Sequence, residues 1–372
     1  MSRNNIERRD FIKCILAGLA LTTIDWSTLP KAYGEELDQD QFDAVIIGSG
    51  LGGLSCAAAF ARQGFKALVL EKHYVPGGYA TTFKRGDFVF DVSLHSTTVG
   101  EREGIHNLIS GFPEIKDVEF VPHHNLYRAI FPDYDIRVPQ KDLQGYIEIL
   151  VGYFPEEQEG IVDLFEEMKG IAGDIKKLSD ARGQVDMNKF PVEFPHLFGC
   201  YTKTWGDLVD ARIKNPKLKA IISSLWGYYG LPPSKLASFY YAMPTIGYLK
   251  QGGYYPIGRS QKISDAFVKF IEDRGGKVML KTEVEQILLK NHTAYGVKTT
   301  DGKEYKGKVV ISNANAYDTF HKMINQSDYL KEYLVRMENF SVSLSSFKIF
   351  LGLKKDIIGE IGIKDTEIFQ TA

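Results

Sequence analysis

Cysteine is scarce in this chain. Its three residues, Cys14, Cys56 and Cys200, sit at spacings that fit neither a zinc-ligand pattern nor a disulfide framework. They read as small apolar residues, one in a leader and two inside the fold, and no metal constellation is expected. Charge of one sign is also missing. The formal net charge is −2, which gives no electrostatic case for nucleic acid. Long apolar runs are absent too: residues 14–24 cover about half of the ~20 residues needed to cross a bilayer. What is plentiful is aromatic, with 20 Tyr and 23 Phe. The apolar share of 44% and charged share of 25% are ordinary for a globular protein. At 372 residues a large core in two domains is expected.

The short apolar run has a basic approach, Glu7-Arg8-Arg9-Asp10-Phe11-Ile12-Lys13, and a small-residue exit, Lys31-Ala32-Tyr33-Gly34. That is the layout of an export signal. The pair of arginines with Phe and Lys in register is similar to the twin-arginine pattern. Residues 1–34 are therefore expected to be a twin-arginine signal, cleaved after Gly34, that hands the chain to the export machinery and delivers it to the periplasm. That route carries folded proteins, typically after they have acquired a cofactor. The alternative is an amphipathic anchor that stays attached.

The next unit is Phe42-Asp43-Ala44-Val45-Ile46-Ile47-Gly48-Ser49-Gly50-Leu51-Gly52-Gly53. Its apolar β-branched run reads as a buried parallel strand. Gly48, Gly50 and Gly53 form G-x-G-x-x-G directly after it, ahead of a helical Ala57-Ala58-Ala59. The first glycine permits the turn, the second lets a pyrophosphate approach the backbone, and the third lets helix and strand pack closely. The phosphates would rest on the open N–H groups of the helix start. A second strand, Lys66 to Leu70, ends in Glu71, 18 residues beyond Gly53 and placed to take the ribose hydroxyls. Glu71-Lys72-His73-Tyr74-Val75-Pro76-Gly77-Gly78-Tyr79-Ala80-Thr81-Thr82 then carries a glycine doublet just past the acid. It resembles the flavoprotein signature, in which close backbone approach to the cofactor requires the doublet, and it favours FAD over NAD. The expected cofactor contacts are Gly48, Ser49, Gly50, Leu51, Gly52, Gly53, Glu71, Lys72, Gly77, Gly78, Tyr79, Ala80 and Thr81.

With the doublet read, the chain resembles the phytoene desaturase, carotenoid isomerase and retinol saturase group of FAD enzymes over residues 42–353. Thr82-Phe83-Lys84-Arg85-Gly86 leading to Phe90-Asp91-Val92-Ser93-Leu94-His95 is similar to that group's "TF…G…FD.G.H". Tyr153-Phe154-Pro155-Glu156-Glu157 is similar to its "FP.E" helix start, Tyr228-Tyr229-Gly230-Leu231-Pro232-Pro233 to its "YG.PP", and Gly252-Gly253-Tyr254-Tyr255-Pro256-Ile257-Gly258-Arg259-Ser260 to its "YYP.GG". The resemblance implies an α/β fold: a Rossmann-like FAD-binding domain of glutathione-reductase type with an inserted α+β substrate domain. It also implies that Val284 lies over the adenine through its backbone, and that Asn313-Ala314-Asn315 ends a strand near the cofactor. The FAD domain is expected from 42–100 and 256–316, the substrate domain from 101–255 and 317–372.

Three departures stand out. Ser93 and Arg259 replace family glycines. The family also continues through a further glycine-rich FAD contact and a helix beside the flavin, whereas this chain stops at Ala372 after an expected substrate-domain strand at 346–353. A fragment, a split gene product or a truncated frame would each leave FAD more weakly held.

Ile263, Ala266, Phe267, Phe270 and Ile271 mark one face of a helix, closed by Gly275-Gly276. A turn follows at Thr299-Thr300-Asp301-Gly302. In the substrate half, Pro155 starts a helix with Ile161, Leu164, Phe165, Met168 and Ile171 on one face. Residues 225–255 hold ten large aromatic or Met side chains with almost no charge; they read either as an aromatic core or as the wall of an apolar tunnel. His95 is the candidate titratable residue beside the flavin motif, while His123-His124 read as a strand end. The resemblance implies an FAD oxidoreductase that desaturates, saturates or isomerises an apolar isoprenoid or polyene substrate, which also fits association with a membrane surface. The alternatives are an amine-oxidase-like enzyme and, in another class, an escort protein of the same architecture for prenylated GTPases.

Overall fold

The computed structural model describes residues 41–98, 112, 115–181, 185–324, 330–340 and 342–370. The leader, with Cys14 and the expected cleavage point, lies outside them. The first strand, β1 (Gln41–Ile47), is buried along almost its whole length. Ala44 and Ile46 point into one core, Val45 and Ile47 into another. A strand apolar on both faces must be covered on both, and it is. Helix α1 (Leu51–Arg62) follows, then β2 (Ala67–Leu70).

The main sheet collects strands from two distant stretches of chain. The early one supplies β1 and β2. The later one supplies β9 (Lys277–Met279), β10 (Val284–Lys290), β11 (Thr293–Thr299) and β12 (Glu304–Ser312). Their order is β10-β11-β12-β1-β2-β9. The four strands from β12 to β9 are parallel, and β10 and β11 extend the sheet antiparallel. The helix Gln261–Glu272 packs Ile263, Ala266, Phe267, Phe270 and Ile271 beside α1 on one face, as its periodicity predicts. Gly276 N–H closes that helix on the Ile271 carbonyl at 3.0 Å, and β9 begins one residue later. This is a Rossmann-like α/β layer.

Between β2 and β9 the chain builds two hairpins and a helical cap. The hairpin β3 (Thr82–Arg85)–β4 (Phe88–Asp91) leads away from the sheet. The short strand β5 (Phe120–Pro122) pairs with β8 (Tyr254–Pro256), at the far end of the cap in sequence. Within the cap, β6 (Tyr127–Phe131) and β7 (Tyr134–Val138) form a hairpin that takes up β13 (Ile368–Gln370) as a parallel neighbour. Three longer helices pack against it: α2 (Leu143–Tyr153), α3 (Gln158–Asp180) and α4 (Ser238–Gln251). On α3 the buried face is Ile161, Leu164, Phe165, Met168 and Ile171, extended by Leu178. The buried Glu157 before it accepts hydrogen bonds from the N–H groups of Lys214 and Asn215, tying the helix start to a loop 57 residues on. Trp205 stacks on Tyr241 with centroids 4.1 Å apart and donates from Nε1 to Ser223 Oγ at 2.9 Å. Cys200 is buried, which pushes its thiol up to about 11, and the half-buried Cys56 is pushed the same way.

Three expectations change. The cap does not begin at 101: Phe112 and Ile115 are buried in the core of the sheet domain, with Val118 and Phe120 against it. Those apolar side chains cover the α1 face, so the chain leaves the sheet domain later than expected. Nor does the cap resume at 317, because Met323 and Ile324 pack beside β10 on the opposite face. Residues 346–353, expected as a strand, form none and have no ladder partner among the described residues, and Phe347 is 90% exposed. Alternating apolar residues specify an extended conformation; they do not supply the edge it must pair with. Among the described residues no helix is long and apolar enough to cross a membrane.

Candidate functional site

The carboxyl ends of β1, β2 and β12 open on one cavity of about 890 Å³. Its floor is made by two glycine loops in contact. Gly50 precedes α1, whose first turn has no acid and no side-chain cap, so its N–H groups face outward with the helix dipole behind them. Gly77 N–H donates to the Ser49 carbonyl at 2.9 Å. Gly77 has φ +118°, and a Cβ there would lie 2.4 Å from the Ala80 carbonyl oxygen. At Gly53 a Cβ would lie 2.1 Å from the Gly48 carbonyl oxygen. Each position admits glycine alone, the first for conformation and close approach, the second for helix–strand packing.

Glu71, at the end of β2, is held in place. Its Oε2 accepts from Ser49 N at 2.8 Å and Ser49 Oγ at 2.7 Å, and its Oε1 accepts from His73 N at 2.9 Å. Half-burial of the carboxyl pushes its pKa up, but the hydrogen bonds from Ser49 and His73 outweigh it and hold the group below the usual carboxylate range. Glu71 is therefore an ionised acceptor facing the cavity.

Of the expected cofactor contacts, Gly48, Gly50, Leu51, Glu71, Lys72, Gly77, Gly78, Tyr79, Ala80 and Val284 line this one cavity. Ser49, Gly52, Gly53 and Thr81 do not. Ser49 is buried and orients Glu71 from behind. Gly53 seats α1 on β1. At Gly52 a Cβ would meet Asn313 Oδ1 at 2.6 Å. The Thr81 hydroxyl donates to Gln261 Oε1. Asn313, Ala314 and Asn315 line the wall just past the end of β12. Glu283, Glu285, Thr300, Asp318, Lys322 and Met323 also line it and were not anticipated. They converge from the loops around β10 and β12 and carry no local motif. Among the described residues no His/Cys/Asp/Glu group is arranged to hold a metal.

A second cavity, about 480 Å³, is walled by residues 93–98 and by Tyr228, Tyr229, Met243, Pro244, Gly247 and Tyr248. His95 lies on it. One stretch of chain thus serves both places: residues 77–80 floor the first cavity, and residues 93–98 wall the second. The hairpin β3–β4 joins them. Asp91 at its end accepts from Ser260 N at 2.9 Å, from the Ser260 hydroxyl and from the Tyr255 hydroxyl. The aromatic stretch is divided between the two readings given for it. Tyr241 is core, whereas Tyr228, Tyr229, Met243 and Tyr248 are wall. Behind the wall lies Glu367, a buried carboxylate at the start of β13 that sequence reasoning did not single out.

Residues 46–108 match the family model of an NAD(P)-binding Rossmann-like domain. The chain is 30% identical over 335 residues to prolycopene isomerase 1, chloroplastic, of an Oncidium hybrid cultivar, covering 87% of this chain and 57% of that protein. It is 28% identical over 350 residues to all-trans-retinol 13,14-reductase of Rattus norvegicus, covering 88% and 56%. To the neurosporene-forming phytoene desaturase of Rhodobacter capsulatus it is 26% identical over 327 residues, covering 84% and 60%. The chain therefore spans little more than half the length of these relatives. Among solved structures, an oxidoreductase from Methanosarcina mazei superposes with a TM-score of 0.59 at 18% identity, covering 80% of this chain and 65% of that one. A double mutant of putrescine oxidase gives 0.54 at 15%, covering 78% and 62%. Those two likenesses show a shared fold. The glycine-floored cavity, the Rossmann-type match and the three relatives agree: over the part of their length that it spans, this chain is similar to the carotenoid and retinol oxidoreductases and carries their Rossmann-like domain.

Proposed function

We propose that the chain binds FAD in the 890 Å³ cavity and acts as an oxidoreductase on carbon–carbon bonds of an apolar isoprenoid or polyene substrate, by desaturation, saturation or isomerisation. The observation that carries this reading is the single cavity that joins both glycine loops to an ionised Glu71 and to Val284. The residues fit the adenosine and pyrophosphate portion. The α1 N-terminus and the bare glycine floor would receive the phosphates, Glu71 would accept from ribose hydroxyls, and Val284, which lines the same cavity, would meet the adenine through its backbone. Bound flavin supplies hydride acceptance and return. The chain's own residues orient the cofactor and keep water from the apolar wall of Leu94, Tyr229, Met243 and Pro244. The relatives' names, which speak of prolycopene, retinol and phytoene, support a polyene.

The test is a titration of the purified chain with FAD, followed by flavin fluorescence, then incubation with polyenes. One FAD per chain is expected, with Glu71→Ala weakening binding at least tenfold, as losing hydrogen bonds to a charged group of about 1.5–3 kcal/mol implies. A chain that takes up no flavin sinks the reading. Flavin uptake with conversion of an amine and of no polyene would move it to the amine-oxidase-like alternative. Export by the twin-arginine route is part of the same proposal, supported by Arg8-Arg9 with Phe11 and Lys13. Fractionation of expressing cells, with Arg8→Lys/Arg9→Lys as control, tests it: periplasmic protein for the native pair and none for the variant.

A further inference from the structure

Behind the wall of the second cavity runs an unbroken chain of polar contacts. His95 Nε2 lies 2.7 Å from Tyr228 Oη, and Tyr228 Oη lies 2.9 Å from Glu367 Oε2. The same Oε2 lies 3.2 Å from Tyr248 Oη, which lies 2.7 Å from Ser96 Oγ. Both ends, His95 and Ser96, return to the cavity wall. The middle is buried: the Glu367 side chain is 4% exposed against 54% for His95. Its second oxygen, Oε1, is buried without a hydrogen-bond partner and lies 3.8 Å from His95 Nε2.

Counting hydrogens along this chain leaves it one proton short. His95 Nδ1 lies 2.7 Å from the Ser93 carbonyl, which can only accept, so Nδ1 carries the hydrogen. Nε2 then has a hydrogen only if the ring is doubly protonated. Tyr228 has a single hydroxyl hydrogen and stands between two acceptors, Nε2 and the carboxylate. With neutral His95 and ionised Glu367 one of those two contacts has no hydrogen in it. One added proton completes both. It rests on Nε2, with Tyr228 donating to Glu367, or on Glu367 Oε2, with Tyr228 donating to Nε2. Two hydrogen shifts interconvert the states and no heavy atom moves.

We infer that Glu367 is the buried seat of one exchangeable proton that serves the ligand in this cavity, reached through the hydroxyls of Tyr228 and Tyr248. The inference rests on the redox reading above. When a saturated C–C bond becomes C=C, one hydrogen leaves with its electron pair to a flavin-class acceptor. The other leaves as a proton, and its bonding pair becomes the new π bond. A tyrosine hydroxyl at the wall takes that proton and passes its own to Glu367; saturation runs the other way. Tyr228 and Tyr248 suit the relay because burial, then the Glu367 charge, raises both far above their ordinary values, so they stay protonated. The other charged or titratable neighbours are already committed. His123 is held neutral by burial, and Arg128 and Arg137 are paired with Asp365 and Asp135.

The test needs neither flavin nor substrate. Histidine-labelled protein is compared by NMR at one fixed pH as the native chain, Tyr228→Phe and Glu367→Gln. The His95 ring-nitrogen resonances of the native chain are expected to be displaced from those of Glu367→Gln, and Tyr228→Phe, which keeps the ring and removes the bridging hydroxyl, is expected to lose most of that displacement. Ring resonances identical in all three proteins overturn the proton seat. Should Glu367→Gln fail to fold, Tyr228→Phe decides alone. If the coupling is found and the flavin-loaded chain converts no polyene, the proposed substrate class fails and the relay stands.

Discussion

The two cavities are built from different materials. The first has a backbone floor: that floor is glycine, the main-chain N–H groups of the α1 start face it, and the carboxylate beside it, Glu71, is set by a neighbour two residues on and by Ser49. The second is a side-chain site. Its wall comes from residues 93–98, from Tyr228 and Tyr229 and from α4, with Glu367 behind it. A backbone site is specified by what a local segment can adopt. A side-chain site is specified only once distant segments have packed. Substitutions should therefore fail in different ways, sterically in the first region and by lost contacts in the second.

The largest effect is expected in the cap. Trp205 is fully buried, stacked on Tyr241 and bonded to Ser223. Trp205→Ala should cost about 4 kcal/mol, read as a lowered midpoint in denaturant unfolding. An unchanged midpoint would mean that the cap does not rest on this stack. Nearly as large is Gly53→Ala at about 3 kcal/mol, since its Cβ would be driven into the Gly48 carbonyl. The control is Gly64→Ala, where φ is +81° but nothing lies within 4 Å; strain alone should cost about 1 kcal/mol. Equal costs at the two sites would show that conformation, and not close approach, governs the glycine loops.

Glu71 sharpens the comparison through pH. Its folded pKa lies below the ordinary value of 4.5. Such a group contributes stability that is present above the unfolded pKa and lost as pH falls through the folded one. Glu71→Gln should therefore be less stable than the native chain by a constant margin above pH 4.5, and the two should converge in more acid solution. Thermal unfolding followed from neutral to acid pH measures this. A gap that widens as pH falls would contradict the hydrogen bonds assigned to Ser49 and His73.

How much could be read in advance follows from the same distinction. Gly48, Gly50, Gly53, Glu71, Gly77 and Gly78 fall within 31 residues, and each has a conformational or steric reason that belongs to its own segment. They were legible as a site before any packing was known. Ser49 was legible only as part of the loop; its work on Glu71 needs β1 and β2 side by side. Glu367 left no trace in the sequence, because an acid before a short apolar strand is ordinary. It becomes unusual only when Tyr228 and Tyr248, 139 and 119 residues away, are placed on either side. Residues 346–353 fail in the opposite direction: their alternation is legible, and their pairing edge is not a local property.

Arg259 offers the finest test, because both kinds of specification meet there. The resemblance places a glycine at this position, and the backbone keeps the glycine's conformation, with φ +72°. A residue with a Cβ is strained in that region by roughly 1–2 kcal/mol. Against that, Arg259 Nη1 stands 3.9 Å from Asp91 Oδ2, a half-exposed contact of the kind that contributes about 0–1 kcal/mol. Asp91 keeps its bonds from Tyr255 and Ser260 without it. The strain is the larger quantity, so Arg259→Gly should stabilise the chain by about 0.5 kcal/mol after glycine's greater unfolded-state freedom is subtracted. A small rise in thermal midpoint is the expected result. A fall would mean that the arginine side chain, and not the inherited turn, decides how the loop after β8 is held.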